Sequence, residues 1–109
     1  MAHSIITIKK RPTFVHVKEN GKYIRSGSFN IQILEGVDLK NNIAVGYTAT
    51  KRLGNAVIRN RAKRIMRVLA RKVILKYGKI NFYYVLIAKT SLLKKSFKEI
   101  ELELKKILV

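Results

Sequence analysis

Lys51-Arg52-Leu53-Gly54-Asn55-Ala56-Val57-Ile58-Arg59-Asn60-Arg61-Ala62-Lys63-Arg64-Ile65-Met66-Arg67 carries seven cations and no carboxylate in seventeen residues. At about 100° per residue, Ile58, Ala62, Ile65, Met66, Leu69 and Val73 share roughly one third of a helix circumference. Arg59, Asn60, Lys63, Arg64, Arg67 and Arg71 share the other side, with Arg61 at the edge between. The stretch therefore predicts an amphipathic helix whose apolar stripe docks on a sheet and whose basic side meets solvent. Without Asp or Glu at i+3 or i+4, the cations repel one another, costing a few tenths of a kcal/mol per pair. A solvated face would ordinarily balance such charge, so this one calls for an anionic partner.

Outward from that helix, Asn55 suits the N-cap, and the helix runs to about Tyr77 with Gly78 ending it. Cations in the first turn oppose the helix dipole, a conflict that a phosphate at the helix start would remove. Ile43 to Thr50 upstream reads as a strand, and Asn81 to Ala88 downstream as a strand buried on both faces. Strand, helix and strand make a βαβ unit. Earlier, Lys22 to Leu34 reads as one strand around Ser26-Gly27-Ser28, its Phe29, Ile31 and Ile33 alternating with polar residues. The turn-rich Glu35 to Asn42 then predicts a hairpin with the Ile43 strand. Pro12 and Thr13 open a short first helix that stops by Asn20-Gly21. Residues 1–12 form a flexible, extended arm. At the other end, Ser96 and Glu99 fit a capping box, and Phe97, Ile100, Leu104, Ile107 and Leu108 form the apolar stripe of a last helix. The expected architecture is α+β: a single domain spanning residues 1–109, one mixed sheet with helices on one side.

The 109 residues suit one domain and one core. A net charge of +18 dominates the composition, and from Leu39 to Lys98 sixteen Lys and Arg face no Asp or Glu. Such asymmetry points to nucleic acid, whether DNA, ribosomal RNA or another RNA. The longest apolar run, Phe82 to Ala88, is about a third of a membrane span, and Lys9-Lys10-Arg11 break any signal-peptide core. No membrane partner is expected and the location is cytoplasmic. The absence of cysteine excludes disulfides and thiolate metal sites.

Catalytic candidates are few. His3 and His16 have no partners at metal-ligand spacing, and no carboxylate pair lies near the basic surface. Glu99 and Glu103 share a face with lysines, as i,i+4 ion pairs do. Lys51-Arg52-Leu53-Gly54-Asn55 has a single Gly and is not a phosphate loop. No catalytic or metal residue is assigned. Phe14 reads as a core residue or as a base-stacking platform, the core being the commoner fate of a lone aromatic.

Arg59-Asn60-Arg61, followed by Lys63-Arg64 and preceded by Gly54-Asn55-Ala56-Val57, resembles the RNR signature of the bacterial ribonuclease P protein subunit. The similarity extends through Gly46 to Arg52, through Val85 to Lys89, and in kind to Ser96-Phe97. It implies an α/β sandwich with a mixed four-stranded sheet, three helices and a left-handed βαβ crossover, like the second domain of a small-subunit ribosomal protein. A right-handed crossover is the general default.

The resemblance also implies a function: the non-catalytic protein subunit of an endoribonuclease that removes the 5′ leader of precursor tRNA. Catalysis would belong to the RNA subunit, with magnesium held mainly by RNA. The implied partners are the ribonuclease P RNA and precursor tRNA, with no DNA. Lys51, Arg52, Arg59, Asn60, Arg61, Lys63, Arg64 and Arg67 would lie against the catalytic RNA. The 5′ leader would lie in a cleft between the first helix and the sheet, with Phe14, Lys18, Tyr47, Lys51 and Lys89 as its residues. Two departures stand out. Lys18 occupies a position where the family often has a second aromatic, and the basic tract before Phe14 is reduced to Lys9, Lys10 and Arg11. Two rivals remain: a ribosomal or RNA-chaperone type binding module without a role in cleavage, and a protein-only nuclease.

Overall fold

The computed structural model describes residues 4–109. The strands are β1 (Ile5–Thr7), β2 (Lys22–Arg25), β3 (Phe29–Glu35), β4 (Ile43–Thr48) and β5 (Phe82–Ala88), in one sheet of order β1-β4-β5-β3-β2. Three helices accompany them: α1 (Arg11–Asn20), α2 (Ala56–Leu69) and α3 (Phe97–Leu108). A π turn, Ala70–Ile74, and a last α turn, Leu75–Tyr77, prolong α2. The local signals hold. Asn55 Oδ1 caps α2 by accepting from the Ile58 N–H at 3.0 Å, and Ser96 with Glu99 forms a reciprocal capping box on α3.

The sheet differs from expectation in three ways. It has five strands rather than four, because Ile5–Thr7 of the expected arm pairs in parallel with Ile43–Val45. The expected single strand from Lys22 to Leu34 is instead a hairpin, β2 against β3, turning at Ser26-Gly27-Ser28. The predicted hairpin partner of β3 is not its neighbour, since β5 lies between β3 and β4, antiparallel to one and parallel to the other. The reason is burial. Tyr84 and Leu86 belong to one core cluster, Tyr83 and Val85 to the other, so β5 must be covered on both faces and takes the centre.

The helices likewise lie on both faces rather than one. On the first, Ala62, Met66 and Leu69 of α2, Val73 of the π turn, and Ile100 and Leu104 of α3 pack on Phe29, Ile31, Ile43, Val45, Tyr84 and Leu86. On the second, α1 buries only Val17, against a smaller cluster with Ile8, Ala44, Tyr83 and Val85. That thin cover leaves an open groove beside α1.

Backbone geometry gives the hand of the β4–α2–β5 crossover. The Ile43 N–H donates to Ser4 O and the Val45 carbonyl accepts from the Ile8 N–H, so both residues aim backbone groups at β1. Their side chains face α2. For L residues, seen from α2 with β4 running upward, those backbone groups point right. β1 is therefore to the right of β4 and β5 to its left, so the crossover is left-handed, against the usual rule.

Glu103 ties α3 to the hairpin turn. Its carboxylate accepts from the Ser26 hydroxyl, from the Ser28 N–H at 2.6 Å and from the Ser28 hydroxyl at 2.8 Å, with Lys95 Nζ at 3.6 Å. The expected i,i+4 pairs of Glu99 and Glu103 give way to a helix cap and this long-range anchor to the hairpin turn. Burial opposes Glu103 ionisation, but the three hydrogen bonds and Lys95 outweigh it and hold the pKa below the ordinary value. A depressed folded pKa contributes stability above the unfolded value and loses it as pH falls through the folded one. Glu103→Gln should cost about 1–3 kcal/mol at neutral pH, and urea unfolding in acid should show the difference shrinking. An equal gap at both pH values would mean the charge is irrelevant.

Candidate nucleic-acid interface

The basic face begins in a short turn, Lys51–Leu53, whose Leu53 is buried and fixes the turn while Lys51 and Arg52 stay exposed. Gly54 then adopts φ 147°, and a Cβ there would stand 2.8 Å from Ile58 Cδ1. Only glycine lets the chain turn this sharply into α2. The helix buries Ala62, Met66 and Leu69, and this leaves Asn60, Arg61, Arg64 and Arg67 exposed and Arg59 and Lys63 half-buried. All eight residues expected against RNA thus fall along α2 and the turn before it.

These cations lack internal neutralisation. No acid lies in the first turn of α2. Among the described residues, the one ion pair of Lys or Arg with a carboxylate is Lys95–Glu103. Arg59 Nε is buried without a hydrogen-bond partner among the described residues. A partly desolvated guanidinium of this kind is suited to a fork of phosphate oxygens. Arg67 stands over the Tyr47 ring at 5.8 Å.

On the other face, a groove of about 390 Å³ runs between α1 and the sheet. Arg11, Phe14 and Lys18 line it from α1, Tyr23 and Gln32 from the hairpin, and Ile87 from β5. The Phe14 ring lies on Gly46, where a Cβ would come within 2.5 Å of it. Half-buried, Phe14 closes the smaller core with one side and lines the groove with the other, so both readings of it apply.

The remaining cleft candidates separate. Tyr47 lies on the opposite face, because residues 43, 45 and 47 alternate toward α2. Burial pushes its phenol pKa up, against the pull of Arg67 and Arg71. Lys51 and Lys89 line a second groove of about 650 Å³ with Thr50, Arg52, Leu53 and Ile87. Thr50 and Ile87 border both grooves, which are therefore contiguous. The Lys89 ammonium donates to the Ser26 carbonyl, which steadies its base.

Sequence reasoning missed Tyr23 and Gln32. Tyr23 is 49% exposed on edge strand β2, with Asn30 Nδ2 donating to its hydroxyl at 2.6 Å. Reading Lys22 to Leu34 as one strand hid the pairing of Tyr23 with Gln32 that brings both to the groove. His16 is exposed on α1, and His3 lies outside the described residues. Among the described residues no three His, Asp or Glu approach closely enough to hold a metal, and no helix is long and apolar enough to cross a membrane.

The family model described as Ribonuclease P matches residues 4–109. A ribonuclease P protein component from a Nitratiruptor species is 35% identical over 104 residues, covering 94% of this chain and 88% of that protein. One from Caulobacter vibrioides is 38% identical over 82 residues, 75% of this chain and 54% of its own. The chain thus spans about half the length of the Caulobacter relative. Among solved structures, the RNase P protein from Thermotoga maritima superposes with a TM-score of 0.80 at 20% identity, covering 94% of both chains. The Staphylococcus aureus RNase P protein gives 0.78 at 24% identity, over 94% of this chain and 91% of that one. At these identities the structures speak for the fold alone, whereas the family match and the Nitratiruptor relative reach nearly the whole chain: it belongs to the ribonuclease P protein family.

Proposed function

We propose that this chain is the protein subunit of a cytoplasmic ribonucleoprotein endonuclease that removes the 5′ leader from precursor tRNA. The observation that carries this reading is the division of labour across one sheet. A cation-rich helix without counter-ions among the described residues covers one face, and an aromatic groove with basic rims lies on the other. Lys51, Arg52, Arg59, Asn60, Arg61, Lys63, Arg64 and Arg67 bind the phosphate backbone of the catalytic RNA, Arg residues as forks and Lys residues as point charges. The groove holds the single-stranded leader: Phe14 stacks on a base, and Arg11 and Lys18 attract phosphates. Lys51 and Lys89 extend that path over the ends of β4 and β5. Tyr47 serves the helix side, beneath Arg67. Stacking suits leaders of varied sequence, since every base has a π-face.

In this reading the protein binds and aligns, and the RNA carries the cleavage chemistry. Magnesium is held mainly by RNA in this reading, and no metal step is assigned to the protein.

Cleavage of a precursor tRNA at low millimolar magnesium, with protein alone, a bacterial ribonuclease P RNA alone, and both, tests the proposal. Activity should require the RNA and be raised by the protein. Phe14→Ala should weaken substrate binding by about 1–3 kcal/mol, and the loss should disappear when the leader is trimmed away. Cleavage by the protein alone would replace this reading with a nuclease. RNA binding without any effect on cleavage would favour the ribosomal-type module.

A further inference from the structure

From the π turn onward, where the Leu75 N–H reaches back to the Ala70 carbonyl, the helix presents a different set of cations. Lys72 and Lys76 meet Lys98 and Lys105 of α3 along a groove of about 260 Å³, with Glu101 as its one acidic wall residue. Tyr77 stands among them. The Lys76 ammonium is 5.3 Å from its ring centre and that of Lys105 is 5.2 Å, while Lys72 lies 5.7 Å over Phe97. Hydrogen bonding by Lys105, aided by Lys76, draws the Tyr77 phenol pKa below its ordinary value, as a locally positive field does.

Packing α3 on α2 does not require four ammonium groups at the seam, and their mutual repulsion opposes it. The aromatic faces hold the lysines in place through cation–π contact, which orders them without neutralising them. From Lys98 to Lys105 the cations extend roughly 10 Å along α3, about three nucleotide rises of one strand. A single small anion would not need that length. The groove also faces away from the RNR cations: Lys76 lies roughly 25 Å along the helix from Arg59, and Arg67, about 8 Å along the axis from Lys72, is turned roughly 140° away from it around the helix.

We propose that the α2–α3 seam, built from Lys72, Lys76, Lys98, Lys105 and Tyr77, is a second binding face for an RNA phosphate backbone, separate from the RNR surface. The inference rests on the RNA-binding reading above and adds to it a contact on another side of the molecule.

The test is affinity against salt concentration for the full chain and the variant Lys76→Ala/Lys105→Ala. The probes are a bacterial ribonuclease P RNA transcript and a precursor tRNA presented to the assembled protein–RNA complex. Each lost phosphate contact removes about 0.7–0.9 from the slope of log K on log salt, so the double variant should lose about 1.4–1.8. Loss with the ribonuclease P RNA identifies that RNA as the occupant, and loss only with precursor tRNA identifies the substrate. Lys76→Arg/Lys105→Arg should retain the slope. An unchanged slope for both RNAs, with or without a lower melting temperature, would overturn the proposal and leave the lysines a purely structural role. Arg59→Ala/Arg61→Ala serves as reference. If it lowers the slope and the lysine variant does not, the second face fails alone. If neither does, the RNA-binding reading fails with it.

Discussion

The Arg59→Ala/Arg61→Ala protein is expected to bind catalytic RNA roughly a hundred-fold more weakly than the unaltered chain, with a salt slope shallower by about 1.4–1.8. Two charge-assisted contacts at about 1.5 kcal/mol each give the first figure. Arg59 carries the larger share, because its Nε is already partly desolvated and has no hydrogen-bond partner among the described residues. Folding should be unaffected, since Arg61 is exposed and removing either cation relieves repulsion along α2. Replacement by Lys at both positions should keep the slope but lose affinity, because an ammonium cannot make the two parallel bonds of a guanidinium. Fluorescence anisotropy across a salt series measures both quantities. A slope identical to that of the unaltered chain would remove this helix from the interface.

Gly46→Val should be the most damaging single change on the groove side. Gly46 is buried in β4, and even one carbon there would press to 2.5 Å from Phe14 Cε1 and 3.3 Å from Ile8 Cβ. Three added carbons cannot fit without expelling the Phe14 ring, so the cost should reach about 3 kcal/mol, the upper part of the usual range for overpacking. Expulsion of the ring also rearranges the groove floor, and leader-dependent substrate affinity should fall with stability. Chemical denaturation of Gly46→Val, Phe14→Ala and the double variant separates the two effects. In the Phe14→Ala background the valine occupies vacated space, so its penalty should largely disappear. Simple additivity of the two penalties would show that the ring on Gly46 does not govern this region.

Such dependence on a pair far apart in the chain marks where sequence reading ends. The helix-forming instructions are local and were legible. The 3.6-residue stripe of α2, the Asn55 cap, the Ser96–Glu99 box and the segregation of cations from carboxylates each depend on residues within a turn or two of one another. The RNR face followed from them, because a helix surface is set by spacing alone once the helix exists. The short β1 strand was not legible, since three residues of arm carry no period and gain strand form only by pairing with β4.

Strand alternation shows that Tyr47 and Thr48 point to opposite faces, but not which face lies under α1. That depends on how the sheet is assembled, and so does the division of the cleft candidates into Phe14 and Lys18 in one groove, Lys51 and Lys89 in the next, and Tyr47 behind the sheet. The amino-acid sequence by itself determined the helices, their caps, the unneutralised basic face and, through the RNR motif, the family. Tertiary structure alone decided the strand order, the cover on both faces and the arrival of Tyr23 and Gln32 at the groove. The physical reason is competition for burial: β5 is apolar on both sides and displaces β4 from the position a local hairpin would have assigned it, and every groove wall follows from that exchange.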